Sequence, residues 1–135
     1  CDHIRQWLPN RSTACGIIID VGASIGVCTL LFASLGFSVV ALEANWWHAK
    51  LLQASVILNG FTHVSVKYVA VSDTTGTEEL FIPDDGALST FVRFRTPIHT
   101  EGKIVEVPVT TIDSVHANLD GGPPICLLKI DVEGA

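Results

Sequence analysis

Apolar residues along this chain follow two patterns that take turns. Short unbroken β-branched runs predict strands, and longer segments with apolar residues three and four apart predict helices. Gly16 to Asp20, continuing into Val21, is a run of the first kind. Its apolar character on both faces predicts a strand inside a parallel sheet. Val27 to Leu35 has helical spacing, with Leu30, Leu31 and Leu35 available to a core and Gly36 placed to stop the helix as its C′ residue. Ser38 to Leu42 predicts a second buried strand, ending in Glu43. Trp46 to Leu58 predicts a second helix, with Leu51, Leu52, Ala54, Ile57 and Leu58 on its apolar side and Asn59-Gly60 at its end. Val64 to Val71 predicts a third strand. Strand, helix, strand, helix, strand is the order that builds a parallel sheet with right-handed crossovers.

The rhythm then breaks. Ser72 to Gly76 reads as a turn, Glu78 to Ile82 as a short strand, and Pro83 to Gly86 as another turn. Leu88 to Arg95 fits neither pattern. Lys103 to Val109 alternates like an edge strand, and Pro108 suits an edge because it has no N–H to donate. An antiparallel hairpin is therefore expected in place of a third crossover helix. Thr111 to Leu119 predicts one short helix with Thr111 or Asp113 as N-cap. After the Gly121 to Pro124 loop, Ile125 to Ile130 predicts a fourth buried strand that ends in Asp131. Upstream, residues 1–15 are mostly polar, with Trp7 and Leu8 as large anchors, and read as a short helix and a loop broken at Pro9. Residues 16–135 are the expected α/β domain.

Composition narrows the function classes. The chain has 135 residues, 48% of them hydrophobic and 16% charged, which suits one domain with one buried core. A net charge of -6 argues against nucleic acid as the main partner, although Arg93 and Arg95 sit close together. The nearest approach to a membrane span, Val27 to Leu42, is short and split by Gly36, so no membrane contact is evident in this segment. A start at Cys1 and the absence of methionine suggest an excised piece of a longer protein. The compartment is left open, with cytoplasmic as the default. None of the four cysteines forms a C-x-x-C pair. Cys28 and Cys126 lie in apolar runs and read as buried small hydrophobes, since a disulfide framework suits a smaller, loop-rich chain. The five histidines are scattered, with none at i, i+4 spacing, and no metal site is expected.

The informative constellation is Asp20-Val21-Gly22-Ala23-Ser24-Ile25-Gly26, between a buried strand and a helix. Glycines there let the backbone bend tightly and approach a ligand, and the next helix presents its free N–H groups at the turn. Glu43, at the end of the following strand, occupies the place where doubly wound folds put an acid on a ribose diol. The dinucleotide fingerprint G-x-G-x-x-G needs glycine at its middle position, and Ser24 stands there. A thioether and a zwitterionic amino acid fit this turn better than a pyrophosphate. A Walker A loop is excluded, because no Gly-Lys-Ser/Thr follows.

Seven blocks in order resemble the FkbM family of methyltransferases. Ile18 to Leu30 is similar to its first motif, which usually has Asn at the place of Ser24. Val40 to Leu52 is similar to its second, where proline commonly follows the acid and this chain has Ala44. Leu58-Asn59, Ala70 to Gly76, Gly86 to Ser89 and Thr110 to Asp113 resemble smaller elements, and Lys129 to Ala135 (KIDVEGA) resembles the most specific block. The likeness runs from Ile17 to Ala135. It implies a Rossmann-like class I methyltransferase fold: a mostly parallel sheet with a β-hairpin insertion before the fourth core strand. The C-terminal strands of the full fold are then missing here. It also implies S-adenosyl-L-methionine as cofactor and methyl transfer to a hydroxyl on a sugar or natural product, with a small molecule or glycan as acceptor.

On that reading Asp20 orders the glycine loop and reaches the methionine ammonium, directly or through water, or else only braces the loop. Gly22, Ala23 and Gly26 pass close to the cofactor, and Glu43 takes the ribose hydroxyls with Ala44 beside it. Val71 and Ser72 flank the adenine, unless Val71 is plain core. Asp131 contacts the methionine amine or serves as the catalytic base on an acceptor hydroxyl. Asp131 and Glu133 together have the chemistry for Mg²⁺, but nothing in the sequence requires a metal. A salt bridge from Lys129 to a sheet-edge acid is the structural reading of that lysine. Trp46 and Trp47 either pack against the domain edge or lean on the adenosine. Two other functions share the features: an NAD-type oxidoreductase, against which Ser24 counts, and a noncatalytic nucleoside-binding remnant.

Overall fold

Strand β1 (Ile17–Val21) is buried at every position, because it runs down the middle of a sheet that is covered on both faces. The computed structural model describes residues 16–84, 89–91 and 101–132. The expected N-terminal helix and loop, Arg93, Arg95, Glu133 and most of the segments Gly86 to Ser89 and Leu88 to Arg95 lie outside the described residues.

Helix α1 (Val27–Ser34) follows β1 and leads to β2 (Ser38–Glu43), α2 (Trp46–Leu58) and β3 (Val64–Tyr68). These strands, with β8 (Ile125–Ile130), form a wholly parallel sheet in the order β3-β2-β1-β8. One face of it packs Ile18 and Val39 against Cys28 and Phe32 of α1, and Ala41 against Leu52 and Val56 of α2. The other face packs Ile17, Ile19, Val40 and Leu42 against Val115 of α3 (Ile112–Ala117). The α/β class and the mostly parallel sheet thus agree with the expectation.

The ends of the elements follow local chemistry. Asn45 caps α2, its side-chain oxygen accepting from the N–H groups of Trp47 and His48. Thr111 caps α3 in the same way by accepting from Ser114 N–H. Gly36 stops α1 in a left-handed conformation with φ 86°.

The second sheet departs from the sequence reading in detail. The expected third strand is two strands: β3 in the main sheet, and β4 (Ala70–Val71) in a separate one. That second sheet has the order β4-β7-β5-β6, with β5 (Gly76–Pro83) antiparallel to β7 (Gly102–Thr110) and to β6 (Thr90–Phe91). The expected hairpin is present, longer than its apolar cores suggested. Strand β7 lies between two neighbours and is not a full edge. Pro108 is tolerated because β4 pairs only with Val109 and Thr110, the two residues after it.

Three expectations about burial are corrected. Helix α2 buries Ala49, Leu52 and Val56, while Leu51, Ile57 and Leu58 are exposed, Leu58 by 86%. A helix apolar on several sides does not reveal which stripe its neighbour covers. In α1 the buried positions are Cys28, Thr29, Phe32 and Ala33, and the three leucines are only partly buried. Strand β8 is half-exposed, because it forms the border of the sheet among the described residues.

A fourth correction concerns the cysteines. Cys28 and Cys126 are both disulfide-bonded, and no free thiol occurs among the described residues. An apolar setting suits a half-cystine as well as a thiol, so the runs around these residues could not separate the two.

Candidate cofactor and active site

The carboxyl ends of β1, β2 and β8 meet at the glycine turn. Gly22 and Ala23 both donate their N–H groups to Leu42 O, at 3.0 and 3.1 Å, tying the turn to β2. Asp131 N–H donates to Val21 O at 3.1 Å, tying the end of β8 to β1. Three strand ends are therefore laced into one platform by main-chain bonds.

Glu43 completes the lacing. Only 8% exposed, its Oε2 accepts from Ser24 N–H and its Oε1 from Asn45 N–H, each at 2.7 Å. One carboxylate thus fixes both the glycine turn and the entry to α2. Ser24 is the sole non-glycine residue with positive φ among the described residues, at 52°. That left-handed conformation is what points its N–H at Glu43, and it is a conformation that Asn tolerates better than Ser.

Gly22 and Gly26 have internal reasons to be glycine. A Cβ on Gly22 would lie 2.1 Å from Asp131 O, and one on Gly26 would lie 2.1 Å from Leu52 Cδ1. Both have positive φ, 71° and 98°. The bends let β8 and α2 come in against the turn. Ala23 turns its side chain into the core with Ala41 and Leu52, so only its backbone is available to a ligand.

Asp20 is wholly buried. Its Oδ2 accepts from the Thr29 hydroxyl at 2.6 Å and its Oδ1 from Lys129 Nζ at 2.9 Å. This is the loop-bracing arrangement, with both oxygens engaged inside the protein. The salt bridge expected of Lys129 exists and reaches two acids, Asp20 at 2.9 Å and Asp131 at 3.7 Å. Asp131 is 76% exposed at the sheet edge. The sequence reading missed how far Lys129 reaches; its alternation with Asp131 along β8 was the available signal.

The remaining candidates are dispersed around this platform. Ala44 packs partly against the core of the second sheet. Val71 is half-buried against the main core, and Ser72 follows it, its N–H donating to Thr110 O at 3.0 Å. Trp46 and Trp47 open α2. They are 49% and 61% exposed, stack on each other at 5.9 Å, and carry Lys50 over the Trp46 ring. Among the described residues no group of three or more His, Cys, Asp or Glu is arranged to hold a metal ion, and no helix is long and apolar enough to cross a membrane.

The model of the methyltransferase FkbM domain matches residues 20–135. The chain belongs to this family. No curated protein and no solved structure matches it. The match covers the glycine turn, Glu43, the second sheet and β8, which are the parts that build the platform. Membership favours methyl transfer over the oxidoreductase reading. An FkbM methyltransferase domain needs a methyl donor, and the platform is where β1, β2 and β8 can offer main-chain and carboxylate groups together.

Proposed function

We propose that this FkbM domain is a Rossmann-like class I enzyme. It binds S-adenosyl-L-methionine on the platform and methylates a hydroxyl oxygen of a sugar or other small molecule. The observation that carries the reading is the buried Glu43 carboxylate at the end of β2, held by the N–H groups of Ser24 and Asn45. Each carboxylate oxygen accepts more than one hydrogen bond. Glu43 therefore has one lone pair per oxygen left for a vicinal diol, and the two N–H groups fix its orientation beforehand. The residues present fit the ribose of the cofactor.

The other parts follow from position. The backbone of Gly22 and Ala23 lines the amino-acid end, Ala44 lies next to Glu43, and Val71 and Ser72 stand toward the adenine. When bound, S-adenosyl-L-methionine supplies an already activated methyl group. The protein's share is then to align an acceptor oxygen with it and to take up one proton. Asp131, exposed beside the turn, is the acid for that proton or for the methionine amine. The exposed Trp46–Trp47 pair, just past the ribose acid, offers a flat apolar surface on which an acceptor ring can lie.

Calorimetric titration with S-adenosylhomocysteine, with NAD as control, tests the reading. Saturable binding of the first and none of the second is expected. The reverse preference would replace the methyltransferase reading with an oxidoreductase one.

A further inference from the structure

Lys129 stands on β8, next to Asp20 in the register with β1. Its Nζ donates to Asp20 Oδ1 at 2.9 Å and to Gly22 O at 3.3 Å, and lies 3.7 Å from Asp131 Oδ2. An ammonium has three N–H groups, and three oxygens surround this one. The peptide between Gly22 and Ala23 is thereby held at both ends, its carbonyl by Lys129 and its N–H by Leu42 O. The two acids differ in access. Asp20 is sealed in with Thr29 and Lys129, whereas Asp131 is open. Around Lys129 itself, two carboxylates and one ammonium leave one negative charge unmatched, and the open acid is where it faces outward.

We infer that Lys129 is a positioning residue for the amino-acid end of the cofactor. It pairs off Asp20, fixes the Gly22–Ala23 peptide and leaves Asp131 as the acid that meets a ligand's ammonium. The inference rests on the cofactor reading above and selects the amine-binding role for Asp131. A cofactor's ammonium then completes the charge balance that Lys129 leaves incomplete. A lysine that only supported the fold would have no preference between ligands with and without that ammonium.

The test compares S-adenosylhomocysteine with 5′-methylthioadenosine, which keeps the nucleoside and the thioether but lacks the amino-acid end. Lys129→Met alone strands the Asp20 charge in the interior, so the working variant is the double substitution D20N with K129M, which removes both charges together. Expected is a loss of about tenfold or more for S-adenosylhomocysteine, the scale of one charge-assisted contact, with methylthioadenosine nearly unchanged. Lys129→Arg keeps the cation, and Asp20→Asn alone keeps Lys129 on Gly22 and Asp131. Both are expected to retain the preference for S-adenosylhomocysteine. Equal losses for the two ligands in the double variant, or no loss at all, would overturn the inference. A wild-type chain that binds neither ligand would sink the cofactor reading itself, and that result is visible before any variant is made.

Discussion

Ser24 N–H donates to Glu43 Oε2 at 2.7 Å, so the acid at the end of β2 braces the turn at the end of β1. The ribose acid of the proposed cofactor site is in this way also a structural residue. Its substitutions must be read on two axes.

Glu43→Ala orphans two main-chain donors, those of Ser24 and Asn45. A buried donor left unmet costs about 1–3 kcal/mol, which applies in full to Asn45 N–H and less to the part-buried Ser24 N–H. A matching fall in unfolding free energy is expected by urea denaturation, together with loss of S-adenosylhomocysteine binding. Glu43→Gln keeps one carbonyl acceptor and loses the charge. It is expected to keep more stability than Glu43→Ala while still binding the ligand more weakly than wild type. Unchanged affinity in either folded variant would remove Glu43 from the ribose site.

Ser24→Asn is expected to stabilise the domain. Ser24 holds φ at 52°, a left-handed conformation that costs L-residues roughly 1–2 kcal/mol and that Asn adopts more readily. A gain of about 0.5 kcal/mol in urea denaturation is the expected size. The asparagine common at this place in the family then has a backbone reason. A variant no more stable than wild type would deny it.

What the sequence made legible was the part set by local pattern. The bounds of α2 and β8 could be read residue for residue, because helical spacing closed by an Asn-Gly pair marks the one and a short run apolar but for Lys129 marks the other. Glu43 could be singled out for the same reason, and its place at the end of β2 is as expected. Other features depend on neighbours distant in the chain. Leu58 looked like core and is exposed, since nothing in α2 itself says that β2 and β3 meet the Ala49–Leu52–Val56 stripe. The break between Tyr68 and Ala70 was invisible, because VSVKYVAV is apolar enough for one strand and the sheet change is dictated by β7 pairing with β4. The packing reason for glycine at position 22 required knowing that β8, more than a hundred residues later, ends against it.

Gly22→Ala follows from that last contact. The added Cβ would lie 2.1 Å from Asp131 O, and φ at 71° disfavours any L-residue. Main-chain atoms must move, so a loss of at least ~2 kcal/mol is expected, more than left-handed strain alone would cause. Displacement of β8 should also carry Asp131 away from the turn and weaken ligand binding in step. A Gly22→Ala protein as stable as wild type would contradict the close approach of Asp131 O to Gly22.

Tyr68 is the only tyrosine, so its titration can be followed directly by tyrosinate absorbance. Burial raises its pKa above 10.0. The folded state therefore holds the phenol proton more tightly than the unfolded chain does. Its contribution to stability is full below the unfolded value and is lost as pH rises through the folded one. A midpoint in the native protein above that of the urea-unfolded protein is expected, and equal midpoints would contradict the burial of the ring.

The disulfide bonding of Cys28 and Cys126 bears on where the domain can work. Disulfides persist in oxidising compartments and are reduced in the cytosol, so they remove the basis for a cytoplasmic default. Cys28 opens α1 just after the glycine turn, and Cys126 lies at the start of β8. Both elements lead into the platform, so reduction should loosen the site as well as the fold. Alkylation of the unfolded, unreduced protein followed by peptide mass spectrometry is expected to leave both cysteines unmodified, and to modify both once reductant is added. Reduction should lower stability by about 2–5 kcal/mol, the usual range for native disulfides in small domains, and S-adenosylhomocysteine affinity should fall with it. Alkylation of Cys28 or Cys126 without reductant would show that residue to be a thiol, and the case for an oxidising compartment would go with it.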